Sequence, residues 1–162
     1  MRPKLILPGT VVYLRQQPLR DDKYCRMTRI IQRENKPRPH VCVDANEQSS
    51  VWSSFTSRDD RPRLHIPSFW REGGFQRWRA NEELYLWDGA FLIVGPTRTI
   101  LNAAQGTELL GEGDRARVAS DGLWEIRKEV MKQRIRRPHW FDSYCAGLGL
   151  VLRWQDGYSS AA

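Results

Sequence analysis

The sequence is poor in the residues on which several common classes of protein depend. Its three cysteines, Cys25, Cys42 and Cys145, are odd in number and widely spaced, and no two of them form a CxxC pair. They carry no signal for zinc or redox chemistry, and we predict buried or free thiols in a reducing cytoplasm. The three histidines are scattered and form no HExxH or similar pair. His40 and Cys42 share a strand face, but ordinary strand residues are the favoured interpretation, so we predict no metal and no cofactor.

Long apolar runs are also absent. The longest, such as residues 5–7, 90–94 and 148–152, fall far short of the ~20 residues that cross a bilayer. Pro8 and Gly9 end the first of these runs before it resembles the core of a signal peptide. The chain has no GxSxG nucleophile elbow, no Walker A phosphate loop and no GxGxxG motif, which removes the usual signals of three large enzyme classes. We predict a cytoplasmic protein that does not associate with membranes.

Acidic residues are too few to balance the basic ones. Asp and Glu number 19 against 26 Lys and Arg, a formal charge of +7, and arginine is far commoner than lysine. This excess favours a polyanion or an acidic protein as partner. Seven Trp, five Tyr and five Phe, with 40% hydrophobic residues, exclude a disordered basic tail. The length of 162 residues fits one folded domain, residues 1–162.

Short apolar segments with turn signals between them predict a mainly β protein. Strands are expected at residues 10–14, 24–31, 40–43 and 51–56, and a short extra strand is expected near the C-terminus at 148–154. Segments 84–87 and 91–94 flank Asp88-Gly89, which predicts either a hairpin or a bulged continuous strand. Leu123, Ile126, Val130 and Met131 recur at helical spacing, and Gly122 is expected to separate this helix from a shorter one holding Val118.

A succession of short motifs resembles one known family. GTVVYL at 9–14 is followed by KPRPHVCV at 36–43, by VWSSFTS at 51–57 and, after a basic loop, by LHI at 64–66. Their order and spacing resemble the MazF/PemK (Kid-like) toxins of toxin–antitoxin systems, in which a Gly-initiated strand precedes Arg-Pro, an apolar strand, and a strand ending in Thr-Ser or Thr-Ala. The resemblance covers most of residues 8–135, with residues 136–162 as a C-terminal extension.

The resemblance implies an α+β fold, an SH3-like β-barrel with a C-terminal helix, usually in a homodimer. It also implies a hydrolase-type endoribonuclease that cleaves single-stranded RNA without a metal, leaving a 2′,3′-cyclic phosphate and a 5′-hydroxyl. By position Arg38 matches the catalytic arginine and Thr56 the catalytic threonine, while Asp88 falls near an acidic position of the family. The arginine that some members carry two residues before that acid is Leu86 here. An acidic antitoxin is the implied protein partner.

Each of these residues also has a purely structural interpretation. Arg38 between two prolines is typical of a solvated loop, Thr56 of a strand end whose hydroxyl caps a turn, and Asp88 of a simple turn. A fixed guanidinium nevertheless suits a reacting phosphate, because its fork binds two phosphate oxygens.

Arginines and tryptophans alternate in the segment after the strand expected at 51–56. Such interleaving suits contacts to phosphates and stacking on unpaired bases. The alternative is a solvated loop with the tryptophans packed on the core and Ser57 in an ordinary turn. The candidate RNA-binding residues are Ser57, Arg58, Arg61, Arg63, Trp70, Arg71, Arg77, Trp78 and Arg79.

Two rival functions fit the same composition. One is a non-catalytic SH3-like module that binds nucleic acid or protein, which needs the basic and aromatic surface but not Arg38 with Thr56. The other is a phage or plasmid protein that inhibits a host nucleic-acid enzyme by occupying its charged channel. The residues after Pro138 have no counterpart in the family, and an extension that covered the groove would make the chain an inactive or repurposed relative.

Overall fold

The computed structural model describes residues 6–27, 37–74, 78, 83–89, 91–104 and 115–136. These residues form two long strands, several short ones, three helices and one turn of 3₁₀ helix. In chain order the elements are β1 Val11–Leu14, α1 Gln16–Arg20, β2 Arg26–Met27, β3 Arg38–Ala45, β4 Ser49–Thr56, the 3₁₀ turn Ser68–Trp70, β5 Arg71–Glu72, β6 Tyr85–Leu86, β7 Ile93–Pro96, α2 Thr97–Asn102, β8 Arg117–Val118 and α3 Ser120–Arg136.

The main sheet is antiparallel and is built around the β3–β4 hairpin. Its strands lie in the order β1-β3-β4-β7-β2, and β6 also pairs with β4. Asn46 closes the hairpin, because its side-chain oxygen accepts the backbone N–H groups of Gln48 and Ser49, each at 2.8 Å. The long strands and the helix α3 confirm the predicted fold class, a β-rich α+β protein. Closure into an SH3-like barrel stays a prediction.

The segment around Asp88-Gly89 is neither a hairpin nor one bulged strand, because a turn separates β6 from β7. Both strands pair with β4, through Phe55 with Leu86 and Trp52 with Ile93, and the described residues show no pairing of β6 with β7. The turn is closed by a hydrogen bond of 3.1 Å from the N–H of Phe91 to the carbonyl of Asp88. Gly89 is required there because a Cβ would collide with the backbone oxygen of Glu129 in α3.

The C-terminal helix is confirmed, but its predicted beginning is wrong. Val118 lies in β8, which pairs with β5, and the helix starts at Ser120. Gly122 lies inside the first turn, where a Cβ would come within 2.8 Å of Trp70 and Val118. Close packing on that tryptophan explains the glycine, which does not separate two helices here.

Apolar side chains cover both faces of the sheet, as strand alternation requires. Ile126 and Val130 of α3 pack on one face with Val41 and Phe55. The opposite face packs against the short helices α1 and α2, and its buried residues include Val12, Leu14, Leu19, Trp52 and Ile100. The sheet therefore has helices on both faces. The polar residues at one of its ends form the candidate functional site.

Two expectations fall outside the described part of the chain. They are the C-terminal strand at 148–154 and the second half of the strand predicted at 24–31, of which only Arg26–Met27 is described as β2. Within the described residues, no helix combines the length and apolarity needed to span a membrane.

Candidate functional site

Arg38 and Thr56 come together at one end of the main sheet. Arg38 begins β3 and Thr56 ends β4. The pairing of β3 with β4 reaches His40 and Ser54 at this end, and Arg38 and Thr56 each lie two residues beyond that pair. Alternation along each strand places both of them on the face that carries His40 and Ser54. The two residues singled out by the resemblance therefore lie at the same end and on the same face of the sheet, although 17 positions separate them in the chain.

Two further polar residues extend this pair across the sheet end. Thr56 pairs with Tyr85 of β6, and Tyr85 in turn forms an isolated bridge with His65. Arg38, Thr56, Tyr85 and His65 form what we call the strand-end row. With strands about 4.8 Å apart, the row is about 14 Å long, an extent suited to an extended single strand. The sequence analysis did not single out Tyr85 or His65, since only the pairing of distant segments places them here.

A chain of buried polar side chains contacts the backbone of Arg38. His40 Nδ1 lies 2.7 Å from the backbone oxygen of Arg38, and His40 Nε2 lies 3.2 Å from the side-chain nitrogen of Gln16. The first contact requires a proton on Nδ1, so Nε2 accepts from Gln16 and the ring is neutral. Complete burial lowers the pKa of His40 to about 4, which keeps the ring neutral near pH 7.

Four side-chain polar atoms of the described residues are buried without a hydrogen-bond partner, and two of them, Oε1 of Gln16 and Nε of Arg38, lie beside this chain. Native proteins leave few such groups unsatisfied, because each costs about 1–3 kcal/mol.

Thr56 has a second task at the strand end. Its side-chain oxygen accepts the backbone N–H of Arg58 at 3.1 Å, and the residue is 2% exposed. This is the turn-capping role that the sequence analysis kept open. The capping bond uses a lone pair of the oxygen and leaves the hydroxyl hydrogen to be donated.

The arginine-rich loop after Thr56 contains both exposed arginines and an arginine that is held in place by its neighbours. Ser57, Arg58 and Arg61 are exposed, and Arg58 forms no ion pair with a described residue. Arg63 is anchored, with a side chain that is only 3% exposed. Its guanidinium bonds the carbonyl oxygen of Trp87 at 2.7 Å, pairs with Asp60 at 2.8 Å and lies over the Trp87 ring. Arg58 and Arg61 are the cations of this loop best placed to meet a phosphate.

Asp88 does not lie in the strand-end row. It begins the turn between β6 and β7, and β6 runs along β4 away from Thr56, so Asp88 lies several residues from the row. Its carboxylate lies 3.6 Å from the guanidinium of Arg61. The described geometry thus joins Asp88 to the arginine loop and does not bring it to Arg38 and Thr56.

Two of the candidate RNA-binding residues are built into the interior, and a third is half-buried. Trp78 is 1% exposed, stacks on Phe55 with centroids 5.8 Å apart, and donates its indole N–H to two backbone carbonyls. Arg71 is buried above Trp78 and donates twice to the carbonyl of Ile66. Trp70 is half-buried and packs on the start of α3. Trp78 and Arg71 take the core-packing role that was the alternative to base stacking.

Arg77 and Arg79 lie outside the described residues. Among the residues that the structure does describe, no three His, Cys, Asp or Glu side chains gather as metal ligands would.

Comparisons of the chain with family models, curated proteins and solved structures found no match. The resemblance to the MazF/PemK family therefore stays a prediction, and the geometry of the strand-end row is the basis for assigning a function.

Proposed function

We propose that this chain is a cytoplasmic, metal-independent endoribonuclease that cleaves single-stranded RNA at the strand-end row. The observation that supports the proposal is the position of Arg38 and Thr56 at the same end of the paired strands β3 and β4. A guanidinium and a hydroxyl next to each other offer several hydrogen-bond donors to one phosphate.

The proposed chemistry is an internal transesterification of RNA. The 2′-oxygen attacks the adjacent phosphorus, and the bond to the 5′-oxygen breaks, which leaves a 2′,3′-cyclic phosphate and a 5′-hydroxyl. Negative charge grows on the non-bridging oxygens as the new bond forms. Donors fixed before the reaction stabilise that charge without having to reorganise. In this proposal Arg38 binds two phosphate oxygens and Thr56 donates its hydroxyl hydrogen to one of them.

The exposed part of the arginine loop would hold the flanking nucleotides. Arg58 and Arg61 lie just beyond Thr56 in the chain, and Ser57 adds a hydroxyl between them. Contacts of this kind release counterions, so binding should weaken as salt rises. An acidic, disordered antitoxin segment would compete for the same cations, which makes it the protein partner that we propose.

The decisive experiment incubates purified protein with a long single-stranded RNA in excess EDTA and compares three forms of the protein. Wild type should give discrete fragments ending in a cyclic phosphate. Arg38→Lys, which keeps the charge but loses the fork, should cleave on the order of 10²–10³-fold more slowly. The matched control is Arg98→Ala, because this exposed arginine in α2 lies at the other end of β4. Equal rates for all three, or no cleavage by wild type, would contradict the proposal.

A second candidate function is binding of RNA without cleavage. The observation that favours it is the burial of Thr56, whose oxygen is already used to cap the loop. In that case wild type binds single-stranded RNA and leaves it intact in EDTA. Arg58→Ala then weakens binding, while Arg38→Lys leaves the RNA equally intact.

A further inference from the structure

His65 and Glu83 form a pair at the outer end of the strand-end row. His65 Nε2 lies 2.6 Å from Oε2 of Glu83. The side chains are 47% and 66% exposed, so a substrate can reach them. A carboxylate accepts and cannot donate, so the proton of the imidazole lies on Nε2. The neutral ring therefore presents its unprotonated Nδ1 as an acceptor.

Pairing with β6 holds the imidazole in position relative to the row. His65 bridges Tyr85, and the two rings lie 5.3 Å apart at an angle of 43°. Tyr85 pairs with Thr56, so two strand spacings, about 10 Å, separate the backbones of His65 and Thr56. The imidazole is thus on the same sheet end as the residues proposed to hold the phosphate.

The charged groups next to His65 in the strand-end row are carboxylates. Glu83 contacts the ring, and the carboxylate of Asp59 lies near the hydroxyl of Tyr85. Partial burial, together with the carboxylates of Asp59 and Glu83, raises the pKa of Tyr85 above its usual value, so this phenol stays protonated.

We propose that His65 is a catalytic residue that accepts the proton of the attacking 2′-hydroxyl, and that Glu83 is a positioning residue that fixes its tautomer. This inference rests on the proposed ribonuclease function and adds the proton-transfer group that Arg38 and Thr56 do not supply. A base oriented by a carboxylate is the arrangement that activates hydroxyl nucleophiles in many enzymes.

The proposed step conserves atoms and charge. As the bond from the 2′-oxygen to phosphorus forms, the proton of that oxygen moves to Nδ1 of His65. The bond from phosphorus to the 5′-oxygen breaks, and that oxygen takes a proton from water. The hydroxide so formed removes the proton from His65, which restores the neutral ring, and no oxidant or other reactant is consumed.

The test compares single-turnover cleavage by wild type, His65→Ala, Glu83→Gln and the control Glu47→Gln over a range of pH. Glu47 lies in the β3–β4 turn, at the other end of the hairpin from the row. We expect His65→Ala to lower the cleavage rate about 10²–10⁴-fold. It should bind an uncleavable 2′-O-methyl RNA as wild type does, and added imidazole should restore part of its rate. Glu83→Gln should cause a smaller loss and move the acidic limb of the pH–rate profile, and Glu47→Gln should change neither.

The outcomes separate the two proposals. If Arg38→Lys is impaired but His65→Ala cleaves at the wild-type rate with the same pH profile, the role of His65 is wrong and the ribonuclease function stands. If His65→Ala loses RNA binding together with cleavage and imidazole restores nothing, His65 is a binding or structural residue, which also overturns the inference. If wild type itself does not cleave, both proposals fall.

Discussion

His40 contacts the backbone of Arg38, and its burial should make the free energy of unfolding depend on pH. The ring is fully buried between β3 and α1, and it is neutral because its two nitrogens meet the carbonyl of Arg38 and the amide nitrogen of Gln16. Burial lowers its pKa from 6.5 to about 4. In the unfolded chain the ring regains its ordinary pKa, so the two states bind different numbers of protons between these values.

The sign and size of the effect follow from that difference. Below pH 6.5 the unfolded chain takes up a proton at His40 that the folded chain does not accept until about pH 4. The free energy of unfolding must therefore fall as the pH drops through this window, and the contribution is constant above it. One pKa unit corresponds to about 1.4 kcal/mol, so His40 alone should remove about 3 kcal/mol between pH 6.5 and about 4.

Denaturant unfolding of wild type and His40→Gln at matched pH isolates this contribution. Glutamine can still bond the Arg38 carbonyl and does not titrate in this range, so the variant should lose about 3 kcal/mol less than wild type on acidification. Carboxylates contribute equally to both proteins and cancel in the comparison. As a check that needs no variant, the ring resonances of His40 in wild type should keep their neutral shifts until the pH nears 4. Parallel stability curves, or a ring that titrates near pH 6.5, would refute the reasoning.

Three further predictions test the packing and the surface around the site. Trp78→Ala should destabilise the protein by about 3–5 kcal/mol in denaturant unfolding, because it empties a site beside Phe55, while the control Phe69→Ala, at a residue that is 76% exposed, should stay within about 0.5 kcal/mol. Gly89→Ala should lower the melting temperature, because the new Cβ meets the backbone of α3; an unchanged melting temperature would contradict that contact. Arg58→Ala should weaken binding of single-stranded RNA and reduce the slope of log affinity against log salt by about 0.7, and an unaltered slope would show that Arg58 touches no phosphate.

The elements with strong local patterns were predictable from the chain alone. β1, β3 and β4 combine β-branched and aromatic residues with nearby turn residues, and each lies within a residue or two of the predicted strand or extends it. Helix α3 was predictable because Ile126 and Val130 recur at the spacing that buries one helix face. These signals extend over only a few residues, so they can be recognised in the sequence before the fold is known.

Where the local sequence pattern was ambiguous, pairing with a distant strand decided the structure of the segment. Asp88-Gly89 is compatible with a hairpin, but β6 and β7 both pair with the long strand β4, so the dipeptide lies in a turn between two strands that share one partner. Val118 was expected in a helix, yet its backbone pairs with Arg71 in β5. In both cases backbone hydrogen bonds to a distant strand outweigh a local preference.

The sequence by itself determined the class of the fold and the basic charge, and its short motifs marked Arg38 and Thr56 as candidate site residues. This was possible because composition, periodicity and short motifs are local properties of the chain. Only the tertiary structure decided which polar residues are neighbours. Strand pairing brings Arg38 and Thr56 to one end of the sheet and adds Tyr85 and His65 to the same row, while tertiary packing buries Trp78 in the core. The physical reason is that each strand contributes one residue to such a row, so the row exists only after segments far apart in the chain have paired.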